Sequence, residues 1–192
     1  MQVIFIHSAG AQGPGEGSSR LLQTLRTSLP EGMALRAPAM PSPDNPDAEV
    51  WITATEEAMA SAGAPFILCG HSLGGSILLQ ALARFGLPAG LVGVVTLAAP
   101  FWGAPGWAYD DFALPPDAGM TLSGLTGLVM LLGAADDVVS ADHLERYKAA
   151  LPQAQTRLLP GIDHEAASAG PALAAVITAV AENHRGIRAT GA

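Results

Sequence analysis

The segment that most constrains the fold of this chain is Gly70-His71-Ser72-Leu73-Gly74, which matches the pattern G-x-S-x-G. A continuous apolar run over 66–69 precedes it, and a helical pattern follows it to about Phe85. A serine on a sharp turn between strand and helix needs a strained backbone, and glycine on both sides avoids collisions with neighbouring elements. A glycine-rich turn with an incidental serine fits the pattern alone, because the chain has 22 glycines. The flanking strand and helix patterns favour Ser72 as an exposed nucleophile.

The rest of the chain repeats the order of apolar run, loop and helical pattern. Apolar, β-branched runs predict six strands, at 3–6, 33–36, 66–69, 91–98, 125–132 and 156–159. This alternation predicts an α/β domain with a mostly parallel sheet and helices on both faces. The serine turn after the third strand favours a single-domain α/β-hydrolase fold without a large cap domain, and analogy with that fold gives the strand order 2-1-3-4-5-6. We expect one domain over residues 1–185 and a flexible tail over 186–192.

A nucleophilic serine needs a base and an acid, which follow it in this fold in the order acid, then histidine. His164 lies just after the sixth predicted strand, and Asp136 and Asp137 lie just after the fifth. The carboxyl ends of parallel strands meet at one edge of a sheet, where such sites are built. We favour Asp136 as the acid because it stands three residues after Gly133 and three before Val139. Asp137 remains the alternative, although a turn or capping role suits it better.

The same pattern predicts where an oxyanion would be bound. The backbone N–H of Leu73, at the start of a helix, is one expected donor. The second is expected in the loop after the first strand, with the N–H of Ala9 as the first choice.

Several further residues are candidates for contact with substrate. His7 ends the first strand and His71 lies beside the nucleophile, so both are candidates for the pocket, with a purely structural role as the alternative for His7. Phe101 and Trp102 begin an aromatic segment, residues 101–120, which forms either an apolar pocket and short lid or a satellite core under a long loop. His143 is predicted on a solvated helix face, because Glu145 and Arg146 follow it closely.

Composition and charge narrow the partners. The formal net charge is −8 and the nine Lys and Arg residues are scattered, so we expect neither nucleic acid nor an anionic membrane as a partner. A neutral or cationic substrate suits that charge better. No apolar stretch reaches the roughly 18 residues that span a bilayer. The histidines and the single cysteine, Cys69, lack metal-ligand spacing, and no cofactor is implied.

The same features bear on location and assembly. One cysteine excludes an internal disulfide and fits a reducing compartment. The chain opens directly in the first predicted strand, so we expect a cytoplasmic protein. We expect a monomer or a small homo-oligomer.

The sequence resembles the small α/β hydrolases of the YdeN-like serine hydrolase family over nearly its whole length, about residues 2–183. The resemblance implies hydrolase activity, with Ser72, Asp136 and His164 at the triad positions, but it does not define the substrate. Ser8 departs from the glycine that many α/β hydrolases have after the first histidine. The segments that carry the resemblance are 7–10, 40–51, 70–75, 99–103, 133–139 and 161–164.

These observations predict a serine hydrolase that cleaves a small carboxylic ester through a Ser-His-Asp triad and an acyl-enzyme. The short aromatic segment favours a small or accessible ester over a long lipid chain. Thioester, perhydrolase or C–C bond chemistry with the same triad stays open, because one triad serves them all. A hydrolase fold that acts as an interaction module is the alternative from a different class.

Overall fold

The computed structural model describes the backbone of residues 1–190 and the side chains through residue 186. Six strands alternate with six helices, and a short 3-10 helix, Asp110–Phe112, lies in the aromatic segment. The strands are β1 Gln2–Ile6, β2 Ala34–Arg36, β3 Phe66–His71, β4 Leu91–Leu97, β5 Leu128–Gly133 and β6 Gln155–Leu159. The helices are α1 Ser19–Ser28, α2 Ala48–Ala60, α3 Leu73–Phe85, α4 Ala118–Thr121, α5 Asp142–Ala150 and α6 Gly170–Thr190.

All six strands pair in parallel, in the order β2-β1-β3-β4-β5-β6, so the predicted α/β-hydrolase architecture and strand order are confirmed. The register places Ile6 beside Gly70 and His71 beside Leu97. The loops that follow these strands therefore open at the same edge of the sheet. That edge is where the sequence places its candidate site residues.

The core explains why the central strands read as continuous apolar runs. Every residue of β3 and β5 is buried, as expected of parallel strands covered on both faces. Four of the six helices pack in two pairs, α1 with α6 and α2 with α3, and the sheet lies between these two layers. Trp51 and Phe66 are among the largest fully buried side chains.

Three elements differ from the sequence prediction by more than one residue. β5 begins at Leu128, because the preceding residues form turns in which the Leu125 N–H bonds to the Leu122 carbonyl. β3 extends to His71, which pairs with β4. α6 runs to Thr190 and so extends into the tail predicted over 186–192. The flexibility expected of the tail stays a prediction, and residues 191–192 lie outside the described part of the chain.

Within residues 1–190, no helix combines the length and apolar character needed to cross a membrane.

Candidate active site

Ser72 lies on the tight turn between β3 and α3, in a backbone conformation that side chains rarely adopt. Its φ is 51° and its ψ is −125°. The Ser72 N–H donates to the carbonyl of Leu97 at 2.8 Å, which fastens the turn to the end of β4. Backbone strain of this kind costs about 1–3 kcal/mol and persists only where the surrounding structure holds it. The turn presents the Ser72 side chain at the carboxyl edge of the sheet.

Close backbone contacts explain the glycines around Ser72. A Cβ atom at Gly70 would lie 2.7 Å from the Cα of Gly75. One at Gly74 would overlap the backbone carbonyl oxygens of Ile6 and His7, and one at Gly75 would lie 2.8 Å from the Cβ of Ala99. No side chain fits at these three positions without moving the backbone or a packed neighbour.

The structure brings Ser72, His164 and Asp136 into one hydrogen-bonded series. The Ser72 Oγ lies 3.1 Å from the His164 Nε2, and the His164 Nδ1 lies 3.0 Å from the Asp136 Oδ2. The Asp136 side chain is fully buried, whereas that of His164 is 20% exposed. Asp137, the alternative acid, is exposed to solvent. The three residues that chain order and strand placement predict as a triad are therefore in hydrogen-bond contact.

The hydrogen bonds of Asp136 fix its charge and the His164 tautomer. Burial raises the pKa of Asp136, but hydrogen bonds from His164 and from the Val139 and Val138 N–H groups outweigh it and lower the pKa below its usual value. The two backbone bonds measure 2.8 and 2.9 Å. An ionised carboxylate only accepts, so the His164 Nδ1 carries a proton, and in a neutral ring the Nε2 is then the atom that accepts from Ser72.

The two N–H groups predicted to bind an oxyanion are both free to donate a hydrogen bond to a ligand. Within residues 1–186, neither the Leu73 N–H nor the Ala9 N–H has a hydrogen-bond acceptor. Leu73 begins α3, so its N–H is among those that a helix leaves unsatisfied. The Ser8 carbonyl accepts from the His7 Nδ1 at 2.7 Å and from the Gln12 Nε2 at 3.1 Å. In a planar trans peptide the N–H points away from the C=O. These two hydrogen bonds to the Ser8 carbonyl therefore direct the Ala9 N–H away from His7 and Gln12.

His7 and His71 are both buried, and their ring nitrogens bond to protein groups; contact of either ring with substrate stays a prediction. The His7 Nε2 accepts from the Met40 N–H at 3.0 Å, and its Nδ1 donates to Ser8. The His71 ring lies between the Ser18 hydroxyl and the His164 carbonyl, at 2.9 Å from each. Both imidazoles therefore bind loops of the site.

Acid destabilisation through His71 is the first expected result. Burial lowers the pKa of His71 to about 4, whereas an unfolded histidine titrates near 6.5. Between these values the unfolded chain binds more protons, so stability rises with pH there and is lost as pH falls from 6.5 to 4. We expect His71 to contribute about 3 kcal/mol to the loss in free energy of unfolding between pH 7 and 4. Urea unfolding at both values, compared with His71→Gln, isolates this contribution, and equal losses in the two proteins would contradict it.

The aromatic segment forms a small core against α3. Trp102 is its centre, with ring centroids 5.0 Å from Trp107, 5.8 Å from Tyr109 and 5.2 Å from Phe112. The Trp102 Nε1–H donates to Ser76 at 3.1 Å. These contacts support the satellite core, one of the two roles expected of the segment. Contact of Phe101 and Trp102 with substrate stays a prediction.

His143 is buried, so its predicted solvated position was wrong. The Phe101 N–H donates to the His143 Nδ1 at 2.7 Å, and the ring packs edge-on against Trp107 at 5.3 Å. One turn further along α5, the Tyr147 hydroxyl donates to the Pro100 carbonyl at 2.8 Å. The sequence signal was the spacing of His143, Leu144 and Tyr147 on one helix face, which the charged neighbours obscured.

Comparison with known proteins places the chain among hydrolases. The model of the serine hydrolase family matches residues 21–170, which include Ser72, Asp136 and His164. The YdeN gene product of B. subtilis is similar in structure, with 19% identity, a TM-score of 0.78 and coverage of 94% of this chain and 98% of that one. The resemblance to YdeN-like serine hydrolases is thus confirmed. A search of curated protein sequences gives no match.

Two further solved structures share the fold. Est1E from Butyrivibrio proteoclasticus has 14% identity and a TM-score of 0.69, over 96% of this chain and 88% of that one. A structure from work on carboxylesterases of the thaumarchaeon Nitrososphaera gargenis has 14% identity and a TM-score of 0.68, over 95% and 91%. At such identities the likeness shows the α/β-hydrolase fold alone.

Proposed function

Because the chain belongs to the serine hydrolase family, we propose that it hydrolyses a small carboxylic ester, with Ser72 as nucleophile, His164 as base and Asp136 as the orienting acid. The observation that carries the proposal is the hydrogen-bonded series of these three side chains, 3.1 and 3.0 Å long, on a strained turn. Serine is a weak nucleophile unless an adjacent base activates it, and this series supplies that base.

In the proposed reaction, the Ser72 Oγ attacks the ester carbonyl carbon while the His164 Nε2 takes the hydroxyl proton. Asp136 holds the tautomer and stabilises the imidazolium. The N–H groups of Leu73 and Ala9 bind the oxyanion of the tetrahedral intermediate. The intermediate then expels the alcohol, which takes the proton from His164, and leaves an acyl-enzyme. Water, deprotonated by His164, releases the carboxylic acid and restores Ser72.

The charge around this site favours some substrates over others. The loops that follow the strands at the carboxyl edge, residues 7–18, 37–47, 98–117, 134–141 and 160–169, contain no lysine or arginine. They contain ten carboxylates: Glu16, Asp44, Asp47, Asp110, Asp111, Asp117, Asp136, Asp137, Asp163 and Glu165. Their field repels anions, so neutral or cationic esters suit the site better than polyphosphate-bearing acyl thioesters.

Hydrolysis of p-nitrophenyl esters tests the proposal. We expect turnover of the neutral acetate and butyrate, and a lower kcat/KM for an anionic acyl group, the hydrogen adipate, than for a neutral chain of similar length. A terminal trimethylammonium should raise kcat/KM over its tert-butyl isostere. The cation-to-anion ratio should reach about tenfold at low salt and fall towards unity at 1 M salt, where screening acts over about 3 Å.

Two outcomes would overturn parts of this proposal. Equal rates for anionic and neutral esters, without a salt effect, would contradict the charge preference alone. A folded protein that hydrolyses none of the esters would contradict the ester hydrolase itself and would favour the interaction module.

A further inference from the structure

His71 links two loops whose relative position matters for the proposed reaction. The ring is 2% exposed, although it immediately precedes Ser72. Its Nε2 lies 2.9 Å from the backbone carbonyl of His164, in the loop that carries the base. Its Nδ1 lies 2.9 Å from the Oγ of Ser18, which is fully buried just before α1.

The partners of the ring fix where its protons lie. A carbonyl oxygen only accepts, so the His71 Nε2 must carry a proton and donate to His164. In a neutral ring the Nδ1 then accepts, and the Ser18 hydroxyl is its donor. The Ser18 Oγ then accepts from the Ser8 N–H at 2.9 Å. Because its single proton goes to His71, the Ser8 hydroxyl, 3.1 Å away, is the donor in the contact between the two serine hydroxyls. Each hydrogen bond in this series therefore has one direction, from Ser8 through Ser18 and His71 to the His164 carbonyl.

The far end of the series is the loop that carries Ala9. Ser8 precedes Ala9, and the Gln12 side chain binds both ends of the same loop. The Gln12 Nε2 donates to the Ser8 and Gly10 carbonyls at 3.1 and 2.9 Å, and its Oε1 accepts from the Ser18 N–H at 3.0 Å. The loop and Ser18 thus form one hydrogen-bonded unit, and His71 joins that unit to His164.

We infer that His71 is a positioning residue, which as a neutral Nε2–H imidazole holds the backbone of His164 at a fixed place relative to the loop that carries Ala9. The inference rests on the proposed function, because it assigns His71 a task within that site. In the proposed reaction His164 takes the proton of the Ser72 hydroxyl that attacks the ester carbonyl, and the Ala9 N–H binds the oxygen of that carbonyl. These two residues lie 155 positions apart in the sequence. An error of about 1 Å in such a geometry lowers catalysis by about 100-fold.

The test combines histidine NMR with kinetics of four variants. Nitrogen-15 shifts of the wild-type protein should show His71 as the neutral Nε2–H tautomer at pH 7, and Ser18→Ala should move the Nδ1 resonance.

His71→Gln keeps one donor and one acceptor, so its kcat should stay within about threefold of wild type. His71→Leu and Ser18→Ala should lower kcat by about 10- to 100-fold, with KM changed less than about twofold. Thr55→Val is the matched control, because it also removes a buried hydroxyl, one without a partner in the described part of the chain.

Each remaining outcome decides the question. A charged or Nδ1–H His71 at pH 7, or a folded Ser18→Ala with wild-type kcat, would overturn the inference. A kcat of Thr55→Val as low as that of Ser18→Ala would also overturn it, because the loss would then follow from any buried hydroxyl. If His71→Leu does not fold, Ser18→Ala carries the kinetic test. A wild-type protein that hydrolyses no ester overturns the proposed function instead, and the NMR tautomer and its response to Ser18→Ala then decide the link itself.

Discussion

Replacing Ser72 with alanine is expected to lower kcat for p-nitrophenyl acetate by about 10⁶-fold, to the residual level that oxyanion binding alone provides. Alanine leaves the His164–Asp136 pair intact but removes the only atom that can attack the carbonyl carbon in the proposed reaction. The fold should survive, because alanine can occupy the same space as serine at the turn. Steady-state hydrolysis with purified protein, together with a thermal melt, measures both.

Ser123→Ala provides the control for this substitution. Ser123 is exposed, and its hydroxyl donates to the Met120 carbonyl at 2.7 Å, at the far end of the aromatic segment. We expect wild-type kcat in this variant. Hydrolysis by Ser72→Ala within tenfold of wild type would exclude Ser72 as the nucleophile.

Asp136→Asn is expected to lower kcat by about 10⁴-fold with little change in fold. The asparagine carbonyl can still accept from the Val138 and Val139 N–H groups, which places its amide N–H₂ opposite the His164 Nδ1. The His164 Nδ1 must then accept a hydrogen bond from the amide, so the imidazole proton moves to Nε2. In this tautomer His164 can no longer take the proton of Ser72. Kinetics at pH 7 on the variant and wild type measure the loss.

Asp137→Asn is the matched control for this prediction. It makes the same chemical change one residue away, on an exposed side chain. We expect its kcat within about threefold of wild type, because the interaction energy of a solvent-exposed charge with its neighbours is small. The reverse pattern, a large loss at Asp137 and none at Asp136, would reassign the acid.

Sequence patterns were sufficient for the fold and for the order of the candidate residues. The fully buried β3 and β5 read as continuous apolar runs, because parallel strands are covered on both faces. The glycines beside Ser72 indicate the tight turn in the sequence, because neighbouring atoms approach them too closely for any side chain. The placement of Asp136 and His164 after β5 and β6 follows from the parallel sheet, whose carboxyl ends share one edge.

The hydrogen-bond partners of the histidines cannot be predicted from local sequence patterns. The partners of His71 are Ser18 and the His164 carbonyl, which lie 53 and 93 residues away along the chain. His143 bonds to the Phe101 N–H, 42 residues away. Such contacts depend on how loops pack after the sheet has formed, and no local periodicity records them. The sequence therefore identifies the residues able to react, whereas the residues that hold them emerge from tertiary structure.

Reaction of the purified protein with a fluorophosphonate tests the activated serine most directly. Intact mass of the wild-type protein should show one adduct, and peptide mapping should place it on Ser72. The Ser72→Ala protein, treated identically, should show none. A folded wild-type protein without an adduct, or with the adduct on another residue, would contradict an activated Ser72 nucleophile.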